Sequence, residues 1–311
     1  MSPTNDTTFT HAVFLLSGIP GQEDVYLWIG IPFCLIYAIL ILGNSIILIV
    51  IKVDSSLHEP MYLFLSMLAV IDLGLSIATI PTILGVFLFN SREISIGACF
   101  AQMFFIHFSQ CTESSVLLLM AFDRVVAIRN PLRYTSILTL PRIAIMGLVC
   151  VLRGVAFILP LPLLLVRYQY CRENILSHSY CLHQEVMKLA CADITVNSVY
   201  GLSGSLLMMG LDSVLIFLSY VIILKPVLNV ASRAECLKAL KTCASHLCIS
   251  LLFYSPEIIL SVVHRFMNSS SHLLPIILGY IYLLVPPLMN PIVYSVQSTH
   301  LRVRLIRLFV K

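Results

Sequence analysis

Residues Leu27–Ile51 read LWIGIPFCLIYAILILGNSIILIVI and contain no Asp, Glu, Lys or Arg. A helix needs roughly 20 apolar residues to cross a hydrocarbon core about 30 Å thick. This stretch is also too long for the apolar part of a cleaved signal peptide. It therefore predicts a first membrane-spanning helix that stays in the chain.

The composition of the whole chain is typical of a membrane protein. Of its 311 residues, 59% are hydrophobic and 11% are charged, and the mean hydropathy is +0.97. A soluble protein carries about 25% charged residues, so lipid is the predicted surrounding here. The net charge of +4 is spread without a block of basic residues, which argues against nucleic-acid binding.

Six more apolar stretches follow the first, and each is long enough to satisfy its own backbone hydrogen bonds in lipid as a helix. Internal prolines such as Pro160 indicate kinks. The sequence predicts one all-α domain, residues 1–311, with seven transmembrane helices near 27–52, 60–89, 97–128, 141–165, 195–225, 237–264 and 273–296.

The orientation of the bundle follows from its basic residues, which are enriched in cytoplasmic segments. With the N-terminus outside, 13 of the 19 Lys and Arg residues fall in cytoplasmic segments. The sequon at Asn5 then predicts N-glycosylation on the outer side. Residues 299–310 predict an amphipathic helix on the inner leaflet, with a short basic tail as the alternative.

Four cysteines fall on the predicted outer side: Cys99, Cys171, Cys181 and Cys191. The outer compartment is oxidising, so we expect disulfides there. Four cysteines allow three pairings, and their spacing alone does not choose among them.

Two carboxylic acids lie in the middle of predicted helices, Asp72 in the second and Glu113 in the third. Ionisable residues inside a membrane are costly and point to function, so we expect both to face the bundle interior. Together they could hold a sodium ion through oxygen ligands, or share one proton because two like charges disfavour double ionisation. Two separately hydrogen-bonded carboxyls are the alternative.

Charged residues near the helix ends allow two interpretations each. Asp123 and Arg124 can form an ion pair that locks one conformer until a partner arrives, or a helix-end salt bridge of little weight. Glu257, Ser261 and Arg265 share one face of the sixth helix. Arg265 can turn outward to water, which the residues alone favour, or inward to bind an anion.

Three further polar residues, Arg153, Asp212 and His107, lie within predicted helices. From the residues alone we interpret them as packing groups of the bundle.

Short motifs occur in a fixed order along these helices: GN (Gly43-Asn44), LHEPMYLFLSMLAVIDL (Leu57–Leu73), MAFDRVVAI (Met120–Ile128), SY (Ser219-Tyr220), KALKTCASH (Lys238–His246), FYSP (Phe253–Pro256) and NPIVY (Asn290–Tyr294). From about Ser17 to Phe309 the chain resembles vertebrate olfactory receptors of the rhodopsin-like superfamily. Three segments are similar to the class I branch, most closely family 51: SGIPG (Ser17–Gly21), SHSYCLHQEVMKLAC (Ser177–Cys191) and HRF (His264–Phe266).

The resemblance implies roles for individual residues. It pairs Cys99 with Cys181 and Cys171 with Cys191, and it matches Asp72 and Glu113 to the family's sodium-site pair. Activation-switch positions correspond to Asp123, Arg124, Tyr220, His246, Asn290 and Tyr294. Ligand positions correspond to His107, His183, Gln184, Ser261 and Arg265. In carboxylate-sensing relatives the arginine at the Arg265 position clamps the acid, which favours its inward orientation.

The chain departs from the family pattern at Val125, Lys241 and Glu257. Glu257 occupies a pocket position that is generally apolar in relatives, and it lies about 12 Å below Arg265 along the helix. We therefore predict a bipolar ligand preference. An anionic or strongly polar head group would meet Arg265, and a hydrogen-bonding or cationic group would lie near Glu257.

The resemblance implies an odorant receptor of the plasma membrane that binds a small polar or carboxylate-bearing molecule and activates a stimulatory olfactory-type G protein. No cofactor is expected apart from the sodium ion. A non-olfactory chemosensor for a small metabolite is the alternative within the family. A transporter is disfavoured because the chain shows no inverted repeat, and an enzyme because it shows no HExxH motif or nucleophile–base pair.

Overall fold

The computed structural model describes residues 13–19, 21–170, 174–228, 233–266 and 273–309. The predicted glycosylation site Asn5 lies outside these residues. The helices are α1 (Tyr26–Val53), α2 (Pro60–Phe89), α3 (Ile96–Arg129), α4 (Leu140–Ile158), α5 (Pro160–Leu165), α6 (His183–Lys188), α7 (Thr195–Ser205), α8 (Leu211–Leu228), α9 (Arg233–Phe266), α10 (Leu273–Gln297) and α11 (Thr299–Phe309). Shorter helical turns are Glu23–Val25, Ser55–Leu57, Pro131–Arg133 and Tyr134–Ile137.

The long helices form a seven-helix bundle. Six helical segments of the described chain are long and apolar enough to cross a membrane: Glu23–Val53, Pro60–Phe89, Leu140–Leu165, Thr195–Leu228, Ala239–Ser261 and Leu273–Val296. The seventh crossing is α3, which packs against α2, α4 and α8. It is less apolar because its polar side chains are buried in the centre of the bundle, among them Gln110, Thr112, Glu113, Ser114 and Ser115.

Two crossings are irregular. The fourth is interrupted at Leu159 between α4 and α5, where Pro160 and Pro162 cannot donate backbone hydrogen bonds. The fifth contains a π turn, Leu206–Gly210, between α7 and α8. Such turns occur often at functional sites, and this one was not predicted from the sequence.

A three-stranded sheet covers part of the extracellular side, which the sequence did not predict. The N-terminal strand β1 (Val13–Leu16) lies in the middle, antiparallel to β2 (Glu93–Ser95) and parallel to β3 (Ile175–Leu176). Phe14 is fully buried, and its ring meets the edge of Tyr170 at 5.2 Å. The segment before the first crossing is therefore a packed part of the fold.

The disulfide between Cys99 and Cys181 is present and joins the start of α3 to the loop before α6. The pairing implied by the resemblance is thus confirmed for these two residues. Cys191 is also disulfide-bonded. Its expected partner Cys171 lies outside the described residues, so that pairing stays a prediction.

The C-terminal helix α11 packs against the first intracellular turn. Leu301 is fully buried, and Arg304 Nε lies 2.7 Å from Asp54 Oδ2. A hydrogen bond from Ser56 lowers the pKa of Asp54 below its usual value. The positive charges of Arg304 and His300 lower it further. Asp54 is thus an anion at neutral pH and positions α11 along the inner side.

We expect Phe14→Ala to destabilise the extracellular side. Truncating a fully buried phenylalanine costs about 3–5 kcal/mol, which a thermal-shift assay on the detergent-solubilised chain would detect. Phe89→Ala is the matched control, because Phe89 at the end of α2 is 78% exposed. Equal melting temperatures for the two variants would show that the sheet contributes nothing to stability.

Candidate ligand cavity and the polar network beneath it

A narrow cavity of about 50 Å³ lies within the bundle. Four of the predicted ligand residues line it: His107, His183, Gln184 and Glu257. The cavity thus brings together side chains of α3, α6 and α9, which are far apart in the sequence. A space of this size admits only a few water molecules, so the matching ligand is small.

The other two predicted ligand residues lie higher on α9. Ser261 is half-buried, one turn from Glu257, and is not among the described residues that line the cavity. The backbone of Arg265 belongs to α9, but its side chain lies outside the described part of the structure. A role of either residue in binding stays a prediction.

The two histidines of the cavity are held by their neighbours. His183 begins α6, and its Nε2 atom lies 2.8 Å from Oδ1 of the fully buried Asn197 on α7. The rings of His107 and His183 meet edge to face, with centroids 6.2 Å apart. The loop after the Cys99–Cys181 disulfide is therefore fixed over the cavity by the fifth crossing.

Sequence reasoning missed several polar residues of the cavity, among them Gln110 and Tyr282. Gln110 is 1% exposed, and neither end of its amide has a hydrogen-bond partner among the described residues. The hydroxyl of Tyr282 is buried too, but it is hydrogen-bonded to Glu257. A buried polar group without a partner costs about 1–3 kcal/mol, so a ligand that bonds the Gln110 amide gains that energy.

The spacing on α3 carried a signal for Gln110. His107, Gln110 and Cys111 lie three and four residues apart, on one face of the helix. All three line the cavity. Once His107 was placed in a ligand site, Gln110 one turn further along the same helix was the next candidate.

An ion pair between a half-buried arginine and a buried aspartate lies directly below the cavity. Arg153 on α4 donates to both carboxylate oxygens of Asp212 on α8, at 2.9 and 3.0 Å. Ser114 of α3 donates to Asp212 Oδ2 at 2.7 Å, and its hydroxyl lies 2.8 Å from that of Tyr254 on α9. Arg153 and Asp212, interpreted from the sequence as packing groups, therefore belong to one network across four helices, whereas His107 lines the cavity.

The network is also attached to the floor of the cavity. Met208, in the π turn, lines the cavity with its side chain, and its carbonyl accepts a long hydrogen bond of 3.5 Å from Arg153. Cys111, which lines the cavity too, lies within electrostatic reach of the same ion pair. A ligand that displaces Met208 would therefore act directly on the network.

Asp72 and Glu113 face each other across the bundle interior, as expected from the sequence. Asn290 Nδ2 donates to Asp72 Oδ2 at 3.1 Å and to Glu113 Oε1 at 2.9 Å. All three residues are buried. Within the described residues no cluster of three or more His, Cys, Asp or Glu side chains is placed to hold a metal ion, so any ion there would also depend on this amide.

The predicted switch residues other than Asn290 lie at the inner end of the bundle. Arg124 Nη2 lies 2.6 Å from Asp123 Oδ2, and Tyr134 donates to Asp123 Oδ1 at 2.7 Å. Burial, followed by the charge of Asp123, raises the pKa of Tyr134, so its hydroxyl keeps the proton that it donates. The Tyr220 hydroxyl lies 2.7 Å from His246 Nδ1. The ion pair with Asp123 thus holds the side chain of Arg124 in place.

Comparison with known proteins covers nearly the whole chain. A family model described as olfactory receptor matches residues 33–311. The chain is 58% identical to olfactory receptor 51G2 of Homo sapiens, over 98% of this chain and 97% of that protein. It is 54% identical to human olfactory receptor 51A4, over 98% and 97%. It is 50% identical to olfactory receptor 51E2 of Mus musculus, over 97% and 94%.

We expect Asp212→Leu alone to lower the free energy of unfolding by about 3–5 kcal/mol, because it leaves Arg153 without its counter-charge inside the bundle. Arg153→Met added to Asp212→Leu should recover most of that loss, since an apolar pair of similar volume replaces the ion pair. Thermal unfolding of the two single variants and the double variant measures the coupling between the sites.

The pair of Arg304 and Asp54, which lies outside the membrane-spanning helices, is the control, because water screens it and Arg304→Met should lower the melting temperature far less. If Asp212→Leu is as mild as Arg304→Met, the ion pair does not hold the bundle together.

Proposed function

Because the chain belongs to the olfactory receptor family, we propose that it is an odorant receptor for small polar molecules, foremost carboxylic acids, bound in the cavity beneath α6. Membership of the family makes it a multi-pass receptor of the plasma membrane that couples an odorant to a G protein. The proposal adds the ligand class and the G-protein type, which is the stimulatory olfactory one that raises cyclic AMP. The observation that carries it is the convergence of polar side chains on one narrow cavity.

The polar lining selects the chemistry of the ligand. Ligand sites are mostly apolar with a few polar groups that fix orientation, and here those groups are Gln110, Glu257 and Tyr282. A hydrocarbon would leave the Gln110 amide without a partner among the described residues, whereas a ligand hydroxyl, carbonyl or amine would bond it. The preferred ligand therefore combines a short apolar chain with hydrogen-bonding groups.

Glu257 and Arg265 give this ligand a direction. They lie two helical turns apart on α9, about 12 Å along the axis. An ionised Glu257 repels a carboxylate placed beside it, so an acid head group belongs at the Arg265 end. The Glu257 end then receives a hydroxyl, a carbonyl or a cationic group, which is the bipolar preference predicted from the sequence.

Activation consists of differential binding, with no bond made or broken in the ligand. A ligand shifts the receptor toward the arrangement that it binds more tightly. A shift from 1:99 to 99:1 needs about 5.5 kcal/mol of differential affinity. A small odorant has few atoms, so hydrogen bonds to buried polar groups and the charge of Arg265 supply most of this energy.

The proposed route to the inner face runs through the buried network. A ligand that displaces Met208 alters the Arg153–Asp212 pair, and Ser114 passes the change to Tyr254 on α9. Outward movement of α9 separates His246 from Tyr220 and frees Arg124 for the G protein. The direct contacts from Met208 through Arg153, Asp212 and Ser114 to Tyr254 support the first part of this route. The later steps follow from the proposed movement of α9.

We also propose that Asp72, Glu113 and Asn290 hold a sodium ion. Glu113 Oε2 and Asn290 Oδ1 are buried and have no hydrogen-bond partner within the described chain. Both are oxygen ligands of the kind that hard cations prefer. Two ionised carboxylates are costly inside the bundle, and the positive charge of the ion would offset this cost. Asn290 would hold the two carboxylates in position through its hydrogen bonds to both.

We expect Arg265→Ala to raise the half-maximal concentration for carboxylic acids about 10- to 100-fold, since a charge-assisted hydrogen bond contributes about 1.5–3 kcal/mol. Alcohols and ketones should be affected less. A cyclic AMP reporter assay with acids, alcohols and ketones measures this, and Arg167→Ala, which removes an exposed outer charge, is the control.

In the same assay Glu257→Leu should change the order of potency among ligands with a second polar group. Acid responses that survive Arg265→Ala, or an unchanged odorant profile in Glu257→Leu, would show that the ligand orientation is wrong.

We expect sodium chloride to stabilise the receptor relative to N-methylglucamine chloride of equal ionic strength. Saturating a site a hundredfold above its dissociation constant adds about 2.7 kcal/mol. Asp72→Asn should abolish the difference, whereas Asp54→Asn, outside the bundle interior, should retain it. A sodium effect of equal size in Asp72→Asn and the native chain, measured by thermal unfolding, would exclude this site.

A further inference from the structure

One wall of the ligand cavity lies at the seam between the fourth and fifth crossings. It is formed by Phe157 and Ile158 of α4 and by Gly201, Gly204 and Ser205 of α7. Both helices lie within apolar segments long enough to span the membrane. Next to the seam Leu206 is 63% exposed, so the surface outside this wall meets lipid.

The wall is thin because two of its residues have no side chain. A Cβ at Gly204 would meet no atom within 4 Å, whereas a Cβ at Gly154 would lie 2.9 Å from Thr112 Oγ1. Glycine in membrane helices usually allows close packing of helices, which explains Gly154. It does not explain Gly204, which faces open space at the edge of the cavity.

The fourth and fifth crossings are joined by the Arg153–Asp212 pair and by packing of α5 against α7. Between α4 and α7 themselves there are few direct packing contacts among the described residues. One hydrogen bond of 3.0 Å, from the Tyr200 hydroxyl to the carbonyl of Phe157, joins these two helices at the cavity. The interruption of the fourth crossing at Leu159 and the π turn Leu206–Gly210 of the fifth lie on either side of this hydrogen bond. Neither crossing is therefore a regular α-helix there.

The described part of the extracellular face is packed more tightly than the seam. Phe14, Leu16, Tyr180 and Leu182 are each at most 1% exposed. The disulfide to Cys181 and the sheet around β1 hold this layer in place. A molecule arriving from water above these residues meets a closed layer.

We infer that ligands dissolved in the outer leaflet of the membrane enter the cavity sideways, between α4 and α7, past Gly204, with the Tyr200–Phe157 hydrogen bond as the latch. The inference rests on the proposed function only in taking this cavity as the ligand site. Behind the wall, the buried amide of Gln110 has both ends unpartnered among the described residues, which gives an entering molecule its first hydrogen bonds.

The route selects a class of molecule. A charged carboxylate in hydrocarbon is very costly, so acids pass the seam in the neutral, protonated form. Alcohols, aldehydes and ketones pass unchanged. The favoured ligands are small amphiphiles that partition into the membrane.

The native thiol of Cys111 lines the cavity and reports on access without any odorant. The full-length receptor in lipid vesicles is treated with N-ethylmaleimide, which partitions into membranes, and the modification of Cys111 is followed by peptide mass spectrometry. A permanently charged methanethiosulfonate reagent, confined to water, is run in parallel. The native chain should react with the maleimide and hardly with the charged reagent.

Gly204→Phe should slow maleimide labelling of Cys111 about tenfold, the change produced by a barrier about 1.4 kcal/mol higher. Gly210→Phe is the matched control, because a Cβ at Gly210 also meets open space and Gly210 does not line the cavity. Tyr200→Phe removes the Tyr200–Phe157 hydrogen bond without adding volume, so it should accelerate the labelling of Cys111. Faster labelling would show that the seam opens, whereas Gly204→Phe alone could slow labelling by filling the cavity.

Three results would overturn the lateral route: equal labelling rates in Gly204→Phe and Gly210→Phe, no acceleration in Tyr200→Phe, or labelling of native Cys111 by the charged reagent as fast as by the maleimide. Absence of labelling in the native chain would do the same. None of these results uses an odorant, so they leave the ligand assignment standing, and a failed odorant screen leaves the access route standing.

Discussion

Lipid offers no hydrogen bonds, so every polar or charged group within the membrane-spanning helices has to find its partner inside the bundle. The arrangement of this receptor follows from that constraint. Arg153 and Asp212 meet in a bidentate pair, and Asp72 and Glu113 share the amide of Asn290. These contacts set which faces of the helices point inward, because turning any one helix would leave a charge in hydrocarbon. The apolar faces are left free to meet lipid.

The central helix shows how the same constraint shapes the proposed binding site. The inward face of α3 is polar through its middle, from Ser109 to Ser115, and α3 is therefore the crossing that is least apolar by composition. Where a neighbouring helix supplies a partner, as Asp212 does for Ser114, the polar group stabilises the bundle. At Gln110 none is supplied among the described residues, which is why the proposed ligand site includes this amide. Structural positions and proposed ligand-binding positions thus differ in whether the fold has already satisfied the polar group.

Much of this could be predicted from the sequence, and the failures have physical causes. Length and hydropathy were enough for the helices, because a span needs only apolar residues in sufficient number. The resemblance carried by the motifs was enough for the Cys99–Cys181 disulfide. The sheet around β1 was missed because a four-residue strand outside the membrane has no periodicity that stands out. The π turn at Leu206–Gly210 was missed because backbone register depends on neighbouring helices, and Gln110 because an amide in a helix is usually satisfied.

The buried network also bears on how few ligand atoms are needed to activate such a receptor. Met208 borders the cavity with its side chain and holds Arg153 with its carbonyl, so one residue belongs to both the ligand site and the ion pair. Inside a low-dielectric bundle a small change in the geometry of an ion pair has a large energetic effect. A ligand therefore does not have to push a helix across the membrane by its own contacts. In the proposed mechanism it favours one arrangement of the Arg153–Asp212 pair over another. Several hydrogen bonds to buried groups, each of about 1–3 kcal/mol, together approach the roughly 5.5 kcal/mol that a full shift of population needs.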